Sequence, residues 1–167
     1  MRYVKWIFVV LLISSLTSFV EKNKPNRGLD VGDIAPDFKF KSMFDKQEDQ
    51  KLSYLKGQYV LLCFWASYDA QSRMQNVCLN NVLHAMNSDK LRMVSVSFDE
   101  NRSIFEETIR KDQIVKSVYC FVETKGKSSD LFQEYRLSRG LTNYLLDANG
   151  VIIVKNISAK MLSAYIN

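Results

Sequence analysis

Tyr59-Val60-Leu61-Leu62-Cys63-Phe64-Trp65-Ala66 is the stretch on which the fold turns. It is an unbroken apolar run, too short to span a membrane and rich in β-branched and aromatic residues, so it reads as a strand covered on both faces. Directly after it, from Asp69 to Met86, apolar residues recur at Met74, Val77, Cys78, Val82, Ala85 and Met86. That is the 3.6-residue spacing of a helix, and it predicts that these side chains form its buried face. Leu91 to Phe98 (LRMVSVSF) follows as a second strand, about 25 residues on, the length of a crossover that leaves two strands parallel. The opening unit is therefore β-α-β.

The pattern continues outward from this unit. Ser103 with Glu106 matches a capping box ahead of Ile104, Phe105, Thr108 and Ile109, predicting a helix that runs to about Asp112. Val118 to Val122 is a further short strand, and Ser129 to Arg136 a short helix with Leu131, Phe132 and Tyr135 on one side. Tyr144–Asp147 and Val151–Lys155 flank Asp147-Ala148-Asn149-Gly150, and Asn-Gly between apolar runs marks a hairpin. An amphipathic helix around Ala159 to Ile166 closes the chain, and a hairpin around Phe38 and Leu52 is expected before the central strand. The fold class is α/β, a mixed central sheet with helices on both faces and an N-terminal β extension.

Size and composition agree. The 167 residues, 47% hydrophobic and 25% charged with 6 Gly and 2 Pro, suit one globular domain with an appendage and exclude a disordered or collagen-like chain. The appendage is residues 1–20. Arg2 and Lys5 precede the uncharged stretch Ile7 to Val20, the pattern of an export segment. It is expected to be either a signal peptide or an uncleaved N-terminal membrane tether, with a buried strand as the bland alternative. Residues 21–30, which open on the polar stretch Glu21 to Gly28, read as a linker to a domain at 31–167. The net charge of +5 is spread among acids, as at Glu106, Glu107, Arg110, Lys111 and Asp112, and gives nucleic-acid binding no support. Three Cys and one His are too few for a zinc cluster built on Cys/His pairs, and no cofactor or metal is expected.

Three stretches together resemble one family. Val31-Gly32-Asp33-Ile34-Ala35-Pro36-Asp37-Phe38 is similar to the "G-x-x-A-P-x-F" opening of exported thioredoxin-like proteins of the TlpA/ResA and AhpC/TSA (redoxin) superfamily. Leu52 to Ser67 resembles that family's approach to its redox motif, and Gly140 to Gly150 (GLTNYLLDANG) its "I-P-T-x-F-L-I-D-x-x-G" segment. The resemblance implies a thioredoxin-like fold, an exported cell-envelope location and thiol-disulfide oxidoreductase ancestry.

The same resemblance locates what is missing. Where the family has Trp-Cys-x-x-Cys, this chain has Tyr68-Asp69-Ala70-Gln71-Ser72, so Asp69 stands for the attacking cysteine and Ser72 for the resolving one. Thiol exchange needs a thiolate to attack and a second sulfur to release the mixed disulfide, and neither side chain can do either. The cis-proline position of the family falls on Leu141, before Thr142; a cis bond to a non-proline costs about 2.5–4 kcal/mol, so a trans bond is expected. Asp69 is read as a helix N-cap, satisfied by the amide of Gln71 or Ser72, with a working acid, base or ligand as the alternative. Trp65 and Tyr68 either border the groove of the lost site or belong to the core.

The surviving thiols are Cys63, Cys78 and Cys120. Cys63 and Cys78 reach similar heights on strand and helix, which leaves a bridge open, although helix-on-sheet spacing disfavours it. The plainer reading makes all three small buried hydrophobes. His84 lies six residues beyond Cys78, and a solvent-facing or capping role is expected. Two functions compete: a non-catalytic binding or scaffolding protein for a protein or peptide partner in the cell envelope, and a thiol-disulfide or peroxide-reducing enzyme that works through a non-standard cysteine.

Overall fold

A computed structural model describes residues 25–44, 49–86, 88–114 and 118–166. The export segment and the first residues of the linker lie outside these. Strands β1 (Lys39–Phe40) and β2 (Gln50–Lys51) form the expected N-terminal hairpin, and Leu52–Leu55 is a single 3-10 turn. There follow β3 (Tyr59–Trp65), α1 (Ala70–Met86), β4 (Leu91–Ser97), α2 (Arg102–Lys111), β5 (Tyr119–Val122), α3 (Asp130–Glu134), β6 (Asn143–Leu146), β7 (Ile152–Lys155) and α4 (Ala159–Ile166). The main sheet has the order β5-β4-β3-β6-β7, with β3, β4 and β5 parallel and β6 and β7 antiparallel. The apolar run is its central strand, with all of Val60 to Trp65 buried.

The two faces of the sheet are covered differently. On one face Leu62, Phe64, Val96, Phe98, Phe121 and Tyr144 meet the N-terminal extension and α3. On the other Leu61, Cys63, Trp65, Met93, Cys120 and Leu145 meet Leu79 and Leu83 of α1, Phe105 and Ile109 of α2 and Leu162 of α4. Among the described residues no helix is long and apolar enough to cross a membrane.

Three expectations need correction. The buried face of α1 consists of Ser72, Asn76, Leu79, Asn80 and Leu83, whereas Met74 and Cys78 are exposed. Three of those five residues are polar, and polar groups are admitted to a core when they find partners there. The Trp65 indole N–H donates to Ser95 Oγ, and the Ser95 hydroxyl donates to Asn76 Oδ1, each at 2.8 Å. Counting apolar residues could not see this chain of bonds. Helix α2 is capped by Asn101, whose Oδ1 accepts from the amides of Ser103 and Ile104, and Glu106 pairs with Arg102 at 2.8 Å, so there is no capping box. The stretch read as a linker is pinned to the domain where it is described: Ile34 N–H donates to Asn26 O at 2.7 Å, Gly28 N–H to Ile34 O at 3.1 Å, and Arg27 pairs with Glu134 at 2.6 Å.

The hairpin formed as expected. Asp147 Oδ1 accepts from the amides of Asn149 and Val151, and Gly150 takes the left-handed φ of 83° that the turn requires.

Candidate functional site

The carboxyl ends of the parallel strands β3 and β4 converge where ligands bind in open α/β sheets. There the chain leaves β3, turns through Ala66 to Asp69 and enters α1. Asp69 Oδ1 accepts the Ser72 amide at 2.8 Å, and the Asp69 carbonyl accepts the Arg73 amide at 3.0 Å and the Ser72 hydroxyl at 3.2 Å. Asp69 is thus the N-cap the sequence predicted, with Ser72 as its partner. The Ser72 amide first, and its side chain second, hold the Asp69 carboxyl below the ordinary carboxylate range. Arg73 is forked onto Asp112 at 2.6 and 2.8 Å, tying the first turn of α1 to the end of α2.

A residue that sequence reasoning passed over fixes this turn. Asp99, only 3% exposed, follows β4 and accepts the Ser67 amide (3.0 and 3.2 Å), the Ser67 hydroxyl (2.6 Å) and the Ser97 hydroxyl (2.6 Å). A buried carboxylate is stable only with such a full set of donors. Its place one residue past an apolar strand, at the carboxyl edge of the sheet, was the available signal. Asp99 also colours its neighbour: partial burial, then the negative charges of Asp99, Glu100 and Asp69, raise the Tyr68 phenol.

Two clefts meet at Asp69, Gly140 and Leu141. One, of about 380 Å³, is bounded by Tyr68, Lys127, Phe132 and Leu137. The other, of about 460 Å³, is bounded by Gln71, Gln75, Arg139, Thr142 and Asn156. Tyr68 is 60% exposed, and the Lys127 ammonium lies 5.9 Å from its ring centroid. Thr142 O accepts the Phe64 amide at 3.0 Å, anchoring the loop to β3, and the Thr142 hydroxyl bonds Asn156 Oδ1. No peptide bond among the described residues is cis, in line with the expectation at Leu141.

The structure thus gathers Tyr68, Asp69, Leu141 and Thr142 on one groove and sets Ser72 just behind it. Trp65 is core, fully buried beneath α1. The three cysteines are free, and none borders either cleft. Cys63 and Cys120 are buried in register with Ser95, one on each side of it, so β4 separates them. Burial, reinforced by Cys120, pushes the Cys63 thiol up; burial, partly offset by a hydrogen bond with Ser95, pushes Cys120 up to about 12. Cys78 lies on the outward side of α1, which corrects the reading that buried all three and removes the bridge to Cys63. His84 is exposed in the last turn of α1, as expected. Among the described residues no three His, Cys, Asp or Glu side chains are grouped as metal ligands would be.

A mixed sheet of this order, with the helix entered directly from the central strand and an anchored loop opposite its mouth, defines a thioredoxin-like protein. Residues 31–155 match the AhpC/TSA family, and the chain belongs to it. It is 29% identical over 155 residues to "Thioredoxin-like protein YneN" of Bacillus subtilis, covering 89% of this chain and 86% of YneN. It is 25% identical over 167 residues to "Thiol-disulfide oxidoreductase ResA" of Oceanobacillus iheyensis, covering 96% of this chain and 84% of ResA. Among solved structures, a thioredoxin-like protein from Parabacteroides distasonis superposes with a TM-score of 0.71 at 41% identity, over 83% of this chain and 95% of that one. The fold and the thiol-disulfide oxidoreductase-like ancestry are thereby established.

Proposed function

We propose that this protein is a cell-envelope member of the family that has exchanged dithiol chemistry for binding: its groove holds an extended segment of a protein or peptide partner without reacting with it. The observation that carries the reading is the mouth of α1. Asp69 and Ser72 occupy it, satisfy each other through the helix cap, and have no sulfur beside them. A carboxylate in the helix field keeps the negative charge that a thiolate would bring there, but it can neither attack a disulfide nor release one. The groove offers exposed Tyr68 as a flat apolar contact and the Gly140–Leu141 backbone as an edge. The envelope location rests on the charged and then apolar leading segment.

Reduction of insulin by dithiothreitol tests the reading. The full chain is expected to give no precipitation rate above a variant lacking all three cysteines, and Asp69→Cys/Ser72→Cys is expected to gain one. A rate in the unaltered protein above that cysteine-free control overturns it. The competing enzyme reading has one exposed thiol to work through, Cys78. It requires peroxide or disulfide turnover that Cys78→Ser abolishes and that Cys63→Ala and Cys120→Ala leave intact.

A further inference from the structure

Helix α1 carries apolar side chains on both of its sides. At about 100° per residue, Met74, Val77, Cys78, Val82 and Ala85 share one side with the exposed Asn81, and Ser72, Asn76 and Asn80 share the other with Leu79 and Leu83. The second side faces the sheet. The first is open along Met74, Cys78 and Ala85, with Met74 63% exposed, and is flanked by Val77 and Val82, which are half-buried against the core. Helix α4, which packs beside α1, adds Met161 and Tyr165, 49% and 43% exposed. Three of the seven large apolar side chains exposed among the described residues thus lie on these two helices.

Charge is as unusual as hydropathy here. In a chain that is 25% charged, the 17 residues of α1 would carry about four charged side chains on that average; they carry one, Arg73, which is forked onto Asp112. His84 stands at the last turn, and α4 contributes Lys160.

We propose that this outward face is a self-association surface, on which α1 packs antiparallel against α1 of a second copy about a two-fold axis at Cys78. The register of the helix carries the choice of occupant. Cys78 is the central residue of Ala70–Met86, with eight residues on either side. An antiparallel copy therefore sets Met74 against Val82 and Gln71 against Ala85, so the stripe is complementary to itself, as an isologous contact demands. Self-pairing brings every charge on a face close to its own image, and this face presents almost none to repel. A helix resting on anionic lipid carries Lys and Arg along its polar border, which α1 lacks. Size also fits. A 17-residue helix is about 25 Å long, and with α4 about 10 Å to its side the footprint is on the order of 500 Å² per partner, the scale of a weak, reversible interface. At an axis separation near 10 Å the facing Cys78 Cα atoms, each about 2.3 Å off its own axis, come about 5.4 Å apart, inside the range of roughly 4.4–6.8 Å that a disulfide can bridge, which makes Cys78 a built-in reporter.

The test uses the full chain. Diamide takes two protons and two electrons from a pair of Cys78 thiols, forming one S–S bond and becoming the hydrazine. The expected product runs at twice the 19.4 kDa of the chain on a non-reducing gel, persists in Cys63→Ala and disappears in Cys78→Ser. Met74→Lys, which sets a lysine on the contact beside its own image, is expected to weaken self-association about tenfold by light scattering. Ile104→Lys, at an exposed apolar site on α2, is expected to leave both readouts unchanged. That control separates the helix contact from association through the apolar leading segment. Urea melts of each variant confirm that it is folded. The proposal is overturned by a monomeric mass with no Cys78-dependent product, or by a product that Met74→Lys does not diminish. It is equally overturned if no dimer forms and α1 instead cosediments with phosphatidylcholine vesicles in a Met74-dependent way.

Discussion

The two faces of the central sheet are built on different principles. Beneath the N-terminal extension and α3, Phe64 contacts Tyr135, Phe98 and Tyr144 with ring centroids at 4.6, 5.8 and 6.2 Å, and Phe40 stacks on Phe121 at 5.2 Å. Of the polar atoms within this packing, the Tyr135 hydroxyl donates to Pro36 O at 2.6 Å. Beneath α1 the sheet instead presents a polar row, in which Asn143, Cys63, Ser95 and Cys120 lie side by side on four strands. Asn143 accepts the Ile157 amide at 2.8 Å and donates to the Ile157 carbonyl at 3.2 Å, and Asn76 reaches down from α1 to Ser95. The first face gains its stability from apolar area and shape; the second adds to its own apolar packing a set of buried hydrogen bonds, in which Asn76 Nδ2 is left without a partner. The dry face therefore tolerates similar apolar side chains, whereas the polar face tolerates almost none of its partners being lost.

Substitutions at four positions would sharpen or break this contrast. The largest loss is expected from Phe64→Ala on the dry face, about 3–5 kcal/mol by urea unfolding, because a ring at the centre of the aromatic group leaves a cavity. Ser95→Ala removes one oxygen from the polar face and is expected to cost about 1–3 kcal/mol, since both the Trp65 indole N–H and Asn76 Oδ1 lose their partner. A loss under about 0.5 kcal/mol would mean that the polar row contributes little. Asp69→Ala at the mouth of α1 is expected to cost about 1 kcal/mol through the lost cap, and Asp69→Asn less, since Asn caps well. The difference between wild type and Asp69→Asn carries a pH signature. The Asp69 carboxyl is held below its ordinary range, so its charge-dependent stabilisation is complete above that range and is lost as the pH falls through the lowered folded value. Unfolding curves from pH 7 to pH 2.5 should show the two proteins converge. The smallest effect is expected from Met74→Ala, within about 0.5 kcal/mol for the isolated chain, because its side chain faces outward from α1.

The contrast also explains what the sequence disclosed. Alternation and apolar runs located every strand of the main sheet and the closing hairpin, because those elements obey the burial rule that periodicity measures. Asp69 was legible as a cap because capping is local: its partner, Ser72, lies three residues on. Helix α1 was placed correctly but its buried face only in part: Val77, Val82 and Met86 do pack on the core, whereas Met74, Cys78 and Ala85 are exposed. The reason is that the bonds that bury Ser72 and Asn76 are made partly to a strand residue, Ser95, whose position no local pattern reveals. Asp99 was missed for a related reason. Its donors, Ser67 and Ser97, come from the ends of two different strands and meet only in the folded sheet.

The clamp at Asp99 has one more implication, for the thermodynamics of occupancy. With the Ser67 amide and hydroxyl both bound to a carboxylate sealed under the sheet edge, the segment leading to Tyr68 is held in place before any guest arrives. A visiting chain would thus bear the loss of conformational freedom almost alone, and stiffening that visitor, for instance by cyclisation, should tighten its hold more than any change that rigidifies the host.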